Sequence, residues 1–388
     1  MEHRRRHLIA WKLFHPVARL LARLLFGFRA ERTEIEGPFL LLSNHNTDYD
    51  PILVGASFPQ QMYFVASEHL MRAGLGGRLV SALFDPIARQ KGGNASGTVM
   101  SVLRRLKKGC YVAIFPEGNR SWDGVTRSFP PATGKLARSC AQAGASLVTY
   151  RIEGGYFSSP RWAGASRRRG YCAGQVVRIY SPDELKAMKP DEINAAIARD
   201  LYTDAYALQR EKRAEYKGKR LAEHLETLLF LCPQCGGVQT LESAGDTLVC
   251  SACGMRVRYL PTGFLEGDAP WDNLRDWNLR QEEQIRALCD AAGDEAIFTD
   301  TEMRCRLVDS GKSAEEIGRG ELKLYRDRLE LPGVTLPLGE LTGVAIRGAQ
   351  DIYFGAGERS YLVTCPKPRC VVRYITALSH LNHCEYGV

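Results

Sequence analysis

Between residues 31 and 200, short apolar runs alternate with helical stretches, and each run ends in small or turn-forming residues. The runs "PFLLLSN", "QMYFVAS", "CYVAIFP" and "SLVTYRIEG" read as strands. Between them, "GTVMSVLRRLKKG" and "TGKLARSCAQAGA" carry helical spacing and close on glycine. Strand alternating with helix predicts an α/β sandwich built on a partly parallel sheet. In such sheets, ligand-facing residues gather outside the C-terminal strand edges.

The edge of "PFLLLSN" delivers "NHNTDYD", with His45 directly after the apolar run and Asp50 at the start of the next. If a helical turn separates them, the Asp50 carboxylate can reach the imidazole. A carboxylate on one ring nitrogen fixes the tautomer and leaves the other as a base for a hydroxyl proton. Asp48 competes for the same role, and could instead cap a helix. A second stretch, "CYVAIFPEGNRSWDG", sets Phe115, Pro116, Glu117, Gly118, Asn119, Arg120 and Ser121 behind another strand. Glycine after the acid permits a tight turn. Arg120 offers a planar fork suited to phosphate, unless it only pairs with Glu117 in a loop.

Together the two blocks resemble the glycerolipid acyltransferase family, whose familiar members are lysophosphatidic acid acyltransferases. That family carries N-H-x-x-x-x-D followed about 70 residues later by F-P-E-G-x-R-S. Here the pattern is met by Asn44, His45 and Asp50, then by Phe115 through Ser121 with Asn119 at the variable place. The resemblance spans roughly residues 30–200. It implies that His45 deprotonates an acceptor hydroxyl, that Asp50 orients His45, and that the hydroxyl attacks an acyl thioester of coenzyme A or acyl carrier protein. It further implies that Glu117, Gly118, Arg120 and Ser121 help bind the acceptor, with Arg120 nearest a phosphate. Two weaker blocks depart from the pattern. "LFDPIARQKGG" keeps Ile87 and Arg89 but has Pro86 where glycine is common, leaving Arg89 as a second phosphate ligand with Lys91 beside it. "LVTYRIEGG" has Thr149 where proline is expected.

Of 12 cysteines, Cys232, Cys235, Cys250 and Cys253 form two C-x-x-C doublets fourteen residues apart. That spacing suits a tetrahedral zinc site with a hairpin between the doublets, and it resembles a zinc ribbon. Four thiolates leave no open position, so the zinc is expected to be structural. The remaining cysteines are scattered, and with no secretory signal ahead of them they imply a reducing compartment without disulfides. Few basic residues lie inside the ribbon, so nucleic acid is not expected as a partner. From residue 295 onward, closely spaced strands and a final helix, "VVRYITALSHLNH", resemble a pleckstrin-homology-like or similar small sheet domain. Such folds bind lipids, peptides or proteins, and the fold alone does not choose among them.

The N-terminal run "MEHRRRHLIAWKLFHPVARLLARLLFGF" is interrupted by Lys12, His15, Arg19 and Arg23. At about 100° per residue these fall within roughly 80° of one another on a helix, a cationic stripe along an apolar body. This is the pattern of a helix lying in a bilayer interface; the alternative is an amphipathic helix packed on its own protein. Pro16 would kink it or start its main segment. A net charge of +8 fits anionic surfaces or substrates without choosing among them. The expected organisation is therefore an amphipathic membrane-associating helix (1–30), an acyltransferase-like domain (31–200), a helical linker (201–227), a zinc ribbon (228–260), a helical connector (261–294) and a mainly-β domain (295–388). The expected activity is transfer of a fatty acyl chain to a lysophospholipid or glycerol phosphate, at the cytoplasmic face of a membrane. A protein partner through the C-terminal half is allowed. The rival from another class is a non-catalytic lipid or protein adaptor.

Overall fold

The computed structural model describes every residue except 1, 32, 68–76, 78–80, 90–95, 165, 309–314, 385, 387 and 388. Lys91 thus lies outside the described residues. The chain divides into two compact units, Met1–Pro160 with Arg167–Lys217, and Arg161–Ser166 with Gly218–Val388.

The first unit opens with helix α1 (Glu2–Phe26) and is built on a sheet of seven strands: β1 (Phe28–Ala30), β2 (Phe39–Ser43), β3 (Met62–Ser67), β4 (Ile87–Arg89), β5 (Tyr111–Ile114), β6 (Ser146–Glu153) and β7 (Cys172–Tyr180). Their order is β1-β7-β6-β2-β5-β3-β4, and every neighbouring pair is parallel except β6 with β7. β2 lies inside the sheet, and all five of its residues are buried. Its apolar run is continuous because both faces are covered. Leu40 and Leu42 join a core with Val102, Leu106, Ala137 and Cys140 from the helices Ser96–Lys107 and Ala132–Gln142. Phe39 and Leu41 face the opposite way, onto Leu53 and Val54 of α2 (Asp50–Ser57) and onto Ala22 and Phe26 of α1. Thr149 replaces no buried contact with a void: its hydroxyl donates to Asp200 at 3.0 Å.

α1 runs through Pro16 as one helix. His7, Trp11, Ala18, Ala22 and Phe26 are buried. Trp11 Nε1 donates to the carbonyl of Pro59 at 3.1 Å, and a Cβ at Gly55 would come within 2.7 Å of the Trp11 ring. The apolar body expected from the sequence is therefore split. Ile9, Leu13, Val17, Leu20, Leu21 and Leu24 stay exposed, Leu13 to 71%.

Within the stretch expected as a helical linker, an α-helix spans Ala205–Lys212 and a 3₁₀ turn spans Leu225–Thr227. Arg213 closes that helix in the left-handed region at φ 48°, and Gln209 turns its side chain back onto the carbonyl of Ala214. Lys217 then exchanges two backbone hydrogen bonds with Arg169, which holds the chain extended.

In the second unit, β8 (Leu241–Ala244), β9 (Thr247–Cys250), β10 (Arg256–Tyr259) and β11 (Leu265–Gly267) form an antiparallel sheet. The helix Leu274–Ala291 follows. Seven further strands then pair antiparallel: β12 (Phe298–Leu307), β13 (Glu315–Leu324), β14 (Arg328–Leu331), β15 (Val334–Pro337), β16 (Leu341–Arg347), β17 (Asp351–Ala356) and β18 (Arg359–Thr364). Their order, β15-β14-β13-β12-β18-β17-β16, joins the first strand to the last, and the helix Val372–Leu381 follows.

A buried ion-pair cluster ties that helix to β12. Asp300 accepts from Arg369 at 2.8 Å, from the Tyr374 hydroxyl at 2.9 Å and from Arg373, whose side chain is buried. Burial pushes the Asp300 carboxyl up, but Arg373 and the other donors outweigh it and hold it below the usual carboxylate range. Asp300→Ala would leave the Arg373 charge buried beside no acid. It is expected to destabilise this unit by about 3–5 kcal/mol in urea unfolding.

Candidate active site

The end of β2 is fixed by a side chain that imitates backbone. Asn44 Oδ1 accepts from the Ile152 amide at 2.8 Å, and Asn44 Nδ2 donates to the Ile152 carbonyl at 2.9 Å. The next residue is His45. Its Nδ1 lies 2.8 Å from Asp50 Oδ2. That oxygen also accepts from the amides of Asn46 at 2.6 Å and Thr47 at 2.9 Å, while Oδ1 accepts from the Thr47 hydroxyl at 2.8 Å. A carboxylate only accepts, so this network assigns the imidazole proton to Nδ1 and leaves Nε2 as the basic nitrogen. The Asp50 side chain is fully buried, whereas that of His45 is 19% exposed. Phe115 stacks on the imidazole with centroids 4.4 Å apart.

The choice between Asp48 and Asp50 is decided by this geometry. Asp50 holds His45, and Asp48 instead pairs with Arg120 at 3.1 Å. Nor does Asp48 cap α2, whose cap position is Tyr49.

The second block clamps the first. Glu117 Oε1 accepts from the His45 amide at 2.8 Å, and the Ser121 amide donates to the His45 carbonyl at 3.0 Å. Both polar groups on the backbone of His45 are thereby held by one loop. Glu117 Oε2 accepts from the Arg127 amide at 2.9 Å. Burial pushes the Glu117 carboxyl up to about 8, against the downward pull of those two amides. Ser121 uses its hydroxyl inside the loop, donating to the Val125 carbonyl at 2.8 Å and accepting from the Gly124 amide at 2.9 Å.

Gly118 sits at φ +74°, and a Cβ there would lie 2.7 Å from Arg89 Nη1. The glycine thus serves two ends, the left-handed turn and the close approach of a guanidinium from β4. Arg89 is exposed on that edge strand, while Arg120 is mostly covered, and burial pulls its guanidinium below its ordinary value. His45, Glu117, Gly118, Ser121 and Arg89 are joined through these contacts, and Arg120 ties the loop after β5 to the turn before α2 through Asp48.

Residues not singled out from the sequence also build the site. Thr47, three before Asp50, supplies two of its donors, a signal legible as T-x-x-D at a helix start. Arg127 contributes its amide to Glu117, a contact that no residue pattern announces.

In the second unit, the sulfurs of Cys232, Cys235, Cys250 and Cys253 lie within 4.8 Å of one another. Cys232 to Cys253 is 3.7 Å and Cys235 to Cys250 is 3.8 Å. Zinc–sulfur bonds of about 2.3 Å in a tetrahedron give edges of about 3.8 Å, so the set fits such an ion. Each doublet is followed by a glycine in the left-handed region, Gly236 and Gly254, whose amides return to Cys232 and Cys250 at 2.9 Å. Both turns repeat C-x-x-C-G, a regularity present in the sequence. β8 and β9 form the hairpin between the doublets.

Residues 23–153 match the family model described as Acyltransferase. That segment carries both blocks. Among solved structures, the chain is similar to the 1-acyl-sn-glycerophosphate (LPA) acyltransferase PlsC from Thermotoga maritima. The two are 18% identical, with a TM-score of 0.43, over 53% of this chain and 79% of that one. None of the curated proteins matches the chain.

Glu117 generates a pH signature. Its folded pKa lies above its ordinary value of 4.5, so the native state binds the extra proton between about pH 4.5 and 8. The associated stability is complete below that window and is lost as pH rises through it. Glu117→Gln should flatten this part of the stability–pH curve. It should also cost about 1–3 kcal/mol by setting an amide group against a backbone donor. Denaturation midpoints of both proteins on either side of the window check this.

Proposed function

We propose that the protein is an O-acyltransferase moving a fatty acyl chain from acyl-CoA or acyl carrier protein to a hydroxyl of a lysophospholipid or glycerol phosphate. The observation that carries this reading is the His45–Asp50 pair, with its Nε2 left basic inside a segment matching an acyltransferase family model. Nε2 takes the proton of the acceptor hydroxyl as its oxygen attacks the thioester carbonyl. The new C–O bond forms, the C–S bond breaks, and the departing thiolate receives the proton from the imidazolium. Asp50 keeps the ring oriented and stabilises that imidazolium. Arg89 and Arg120 supply guanidinium groups for the acceptor phosphate. Glu117 acts chiefly by holding the His45 backbone, and Gly118 makes room for Arg89.

The exposed leucines of α1 support placement of the chain on a membrane surface, and we propose the cytoplasmic face for it. No described helix is long and apolar enough to cross a membrane. Zinc held by the four cysteines would lock the hairpin and the two glycine turns, a folding role. The strand order of the C-terminal sheet, with its first strand joined to its last and a closing helix, supports a pleckstrin-homology-like docking domain.

Thiol release from acyl-CoA, measured across a panel of lysophospholipids and glycerol phosphate, tests the chemistry. His45→Ala is expected to lower kcat by about 10²–10⁴-fold, and Asp50→Asn to lower it as well. Asp48→Asn should retain turnover. A His45→Ala protein as active as wild type contradicts the proposal. For the cysteine site, metal analysis should find one zinc per chain, lost in Cys232→Ser/Cys250→Ser together with protease resistance of the second unit.

A further inference from the structure

α1 presents three different faces. At about 100° per residue, Trp11, Ala18 and Ala22 share the side that is buried against the protein. Ile9, Leu13, Val17, Leu20 and Leu24 lie on the far side, exposed. Lys12, Arg19 and Arg23 fall between the two, within roughly 40° of one another. The cations therefore sit along the line where an apolar surface meets the folded domain.

A groove of about 190 Å³ opens along this line. It is lined by Arg19, Leu20 and Arg23 of α1, by Phe28 and Ala30 of β1, and by Ala56 of α2. Neither arginine has a carboxylate partner among the described residues. Two guanidinium groups one helical turn apart stand over walls of leucine, phenylalanine and alanine. The volume is below the roughly 300–1,000 Å³ of pockets that engulf a drug-sized ligand. It has room for a headgroup and the first methylenes behind it, and not for a whole lipid. The rest of the chain would run along Leu20 toward the exposed leucines.

We infer that Arg19 and Arg23 form a binding site for the phosphate of an anionic phospholipid, seated at the border between the leucine face of α1 and the folded domain. Charge chooses the occupant. The paired guanidinium groups match a phosphodiester whose charge no ammonium on the same headgroup offsets, and the neighbouring leucines would enter the acyl layer at the depth that puts both arginines among headgroups. The site is distinct from Arg89 and Arg120, which belong to β4 and to the loop after β5. It would hold the enzyme on anionic membrane by a specific contact in addition to the general attraction of a basic surface.

This inference rests on the interfacial reading of α1 and not on the chemistry at His45. The test accordingly uses binding and no turnover, with full-length protein carrying His45→Ala, so that failure of the catalytic proposal leaves it untouched. Co-sedimentation is measured with phosphatidylcholine vesicles and with vesicles in which one lipid in three is phosphatidylglycerol. Arg19→Gln/Arg23→Gln should weaken binding to the anionic vesicles by roughly thirtyfold and leave binding to neutral vesicles unchanged. Arg326→Gln/Arg359→Gln removes the same charge from exposed positions of the second unit and should change little. Leu13→Ser/Leu24→Ser should weaken binding to both vesicle types, which checks the interfacial reading separately.

Equal losses in the two arginine pairs would show diffuse attraction and overturn the site. Release from anionic vesicles by millimolar inorganic phosphate, where sodium chloride of the same ionic strength has no such effect, would assign the arginines to free phosphate. Loss of a dimer in light scattering, with vesicle binding intact, would assign the groove to a second copy of the chain. Circular dichroism of each variant verifies that α1 remains folded.

Discussion

One buried carboxyl group organises the candidate site. Asp50 is the first residue of α2, and its two oxygens collect the amides of Asn46 and Thr47, the Thr47 hydroxyl and the imidazole of His45. An unpaired buried carboxylate would be costly, so these donors are what permit the acid to lie there. In return, the acid fixes the turn between β2 and α2 and the plane of the histidine ring. The loop after β5 then holds the same residue from its other side through Glu117 and Ser121. Position and tautomer of one imidazole thus depend on two segments about seventy residues apart in the sequence, brought together by parallel pairing of β2 with β5.

The second unit depends on a comparable device at a different place. Gln239, its amide oriented by the network, accepts from Arg373, whose partner is Asp300. Gln239 lies between the cysteine doublets, Asp300 on β12 and Arg373 on the closing helix. A charge cluster therefore connects the hairpin region to the C-terminal sheet. Loss of order around the four cysteines would reach that helix through Arg373, because a buried guanidinium deprived of partners is unfavourable.

Much of this was legible in the residues. The continuous apolar run of β2 announced a strand covered on both faces, and the two sequence blocks named residues that the structure brings together. Other features could not be read there. Asp48 and Asp50 are both acids within reach of His45, and only the start of α2 decides which one turns inward. The resemblance implied that Glu117 helps bind the acceptor; its oxygens hold backbone amides of His45 and Arg127, contacts that carry no signature in residue type. The linker's residues favour helix throughout, yet the α-helix stops at Lys212, Lys217 pairs with Arg169 through backbone bonds, and a 3₁₀ turn follows at Leu225–Thr227. In α1 the spacing gave the cationic stripe, but not that Trp11 and the alanines would pack inward while the leucines stayed outside.

The claim underlying the chemistry is that Asp50 holds the proton of His45 on Nδ1 and frees Nε2 as a base. Nitrogen-15 NMR of histidine-labelled protein at neutral pH, with the His45 signals assigned by their loss in His45→Gln, measures this directly. The account predicts a protonated Nδ1 and an unprotonated Nε2, with that distinction weakened when Asp50 becomes asparagine. A His45 ring protonated on Nε2 alone, or one that exchanges freely between tautomers in the unaltered protein, would contradict it.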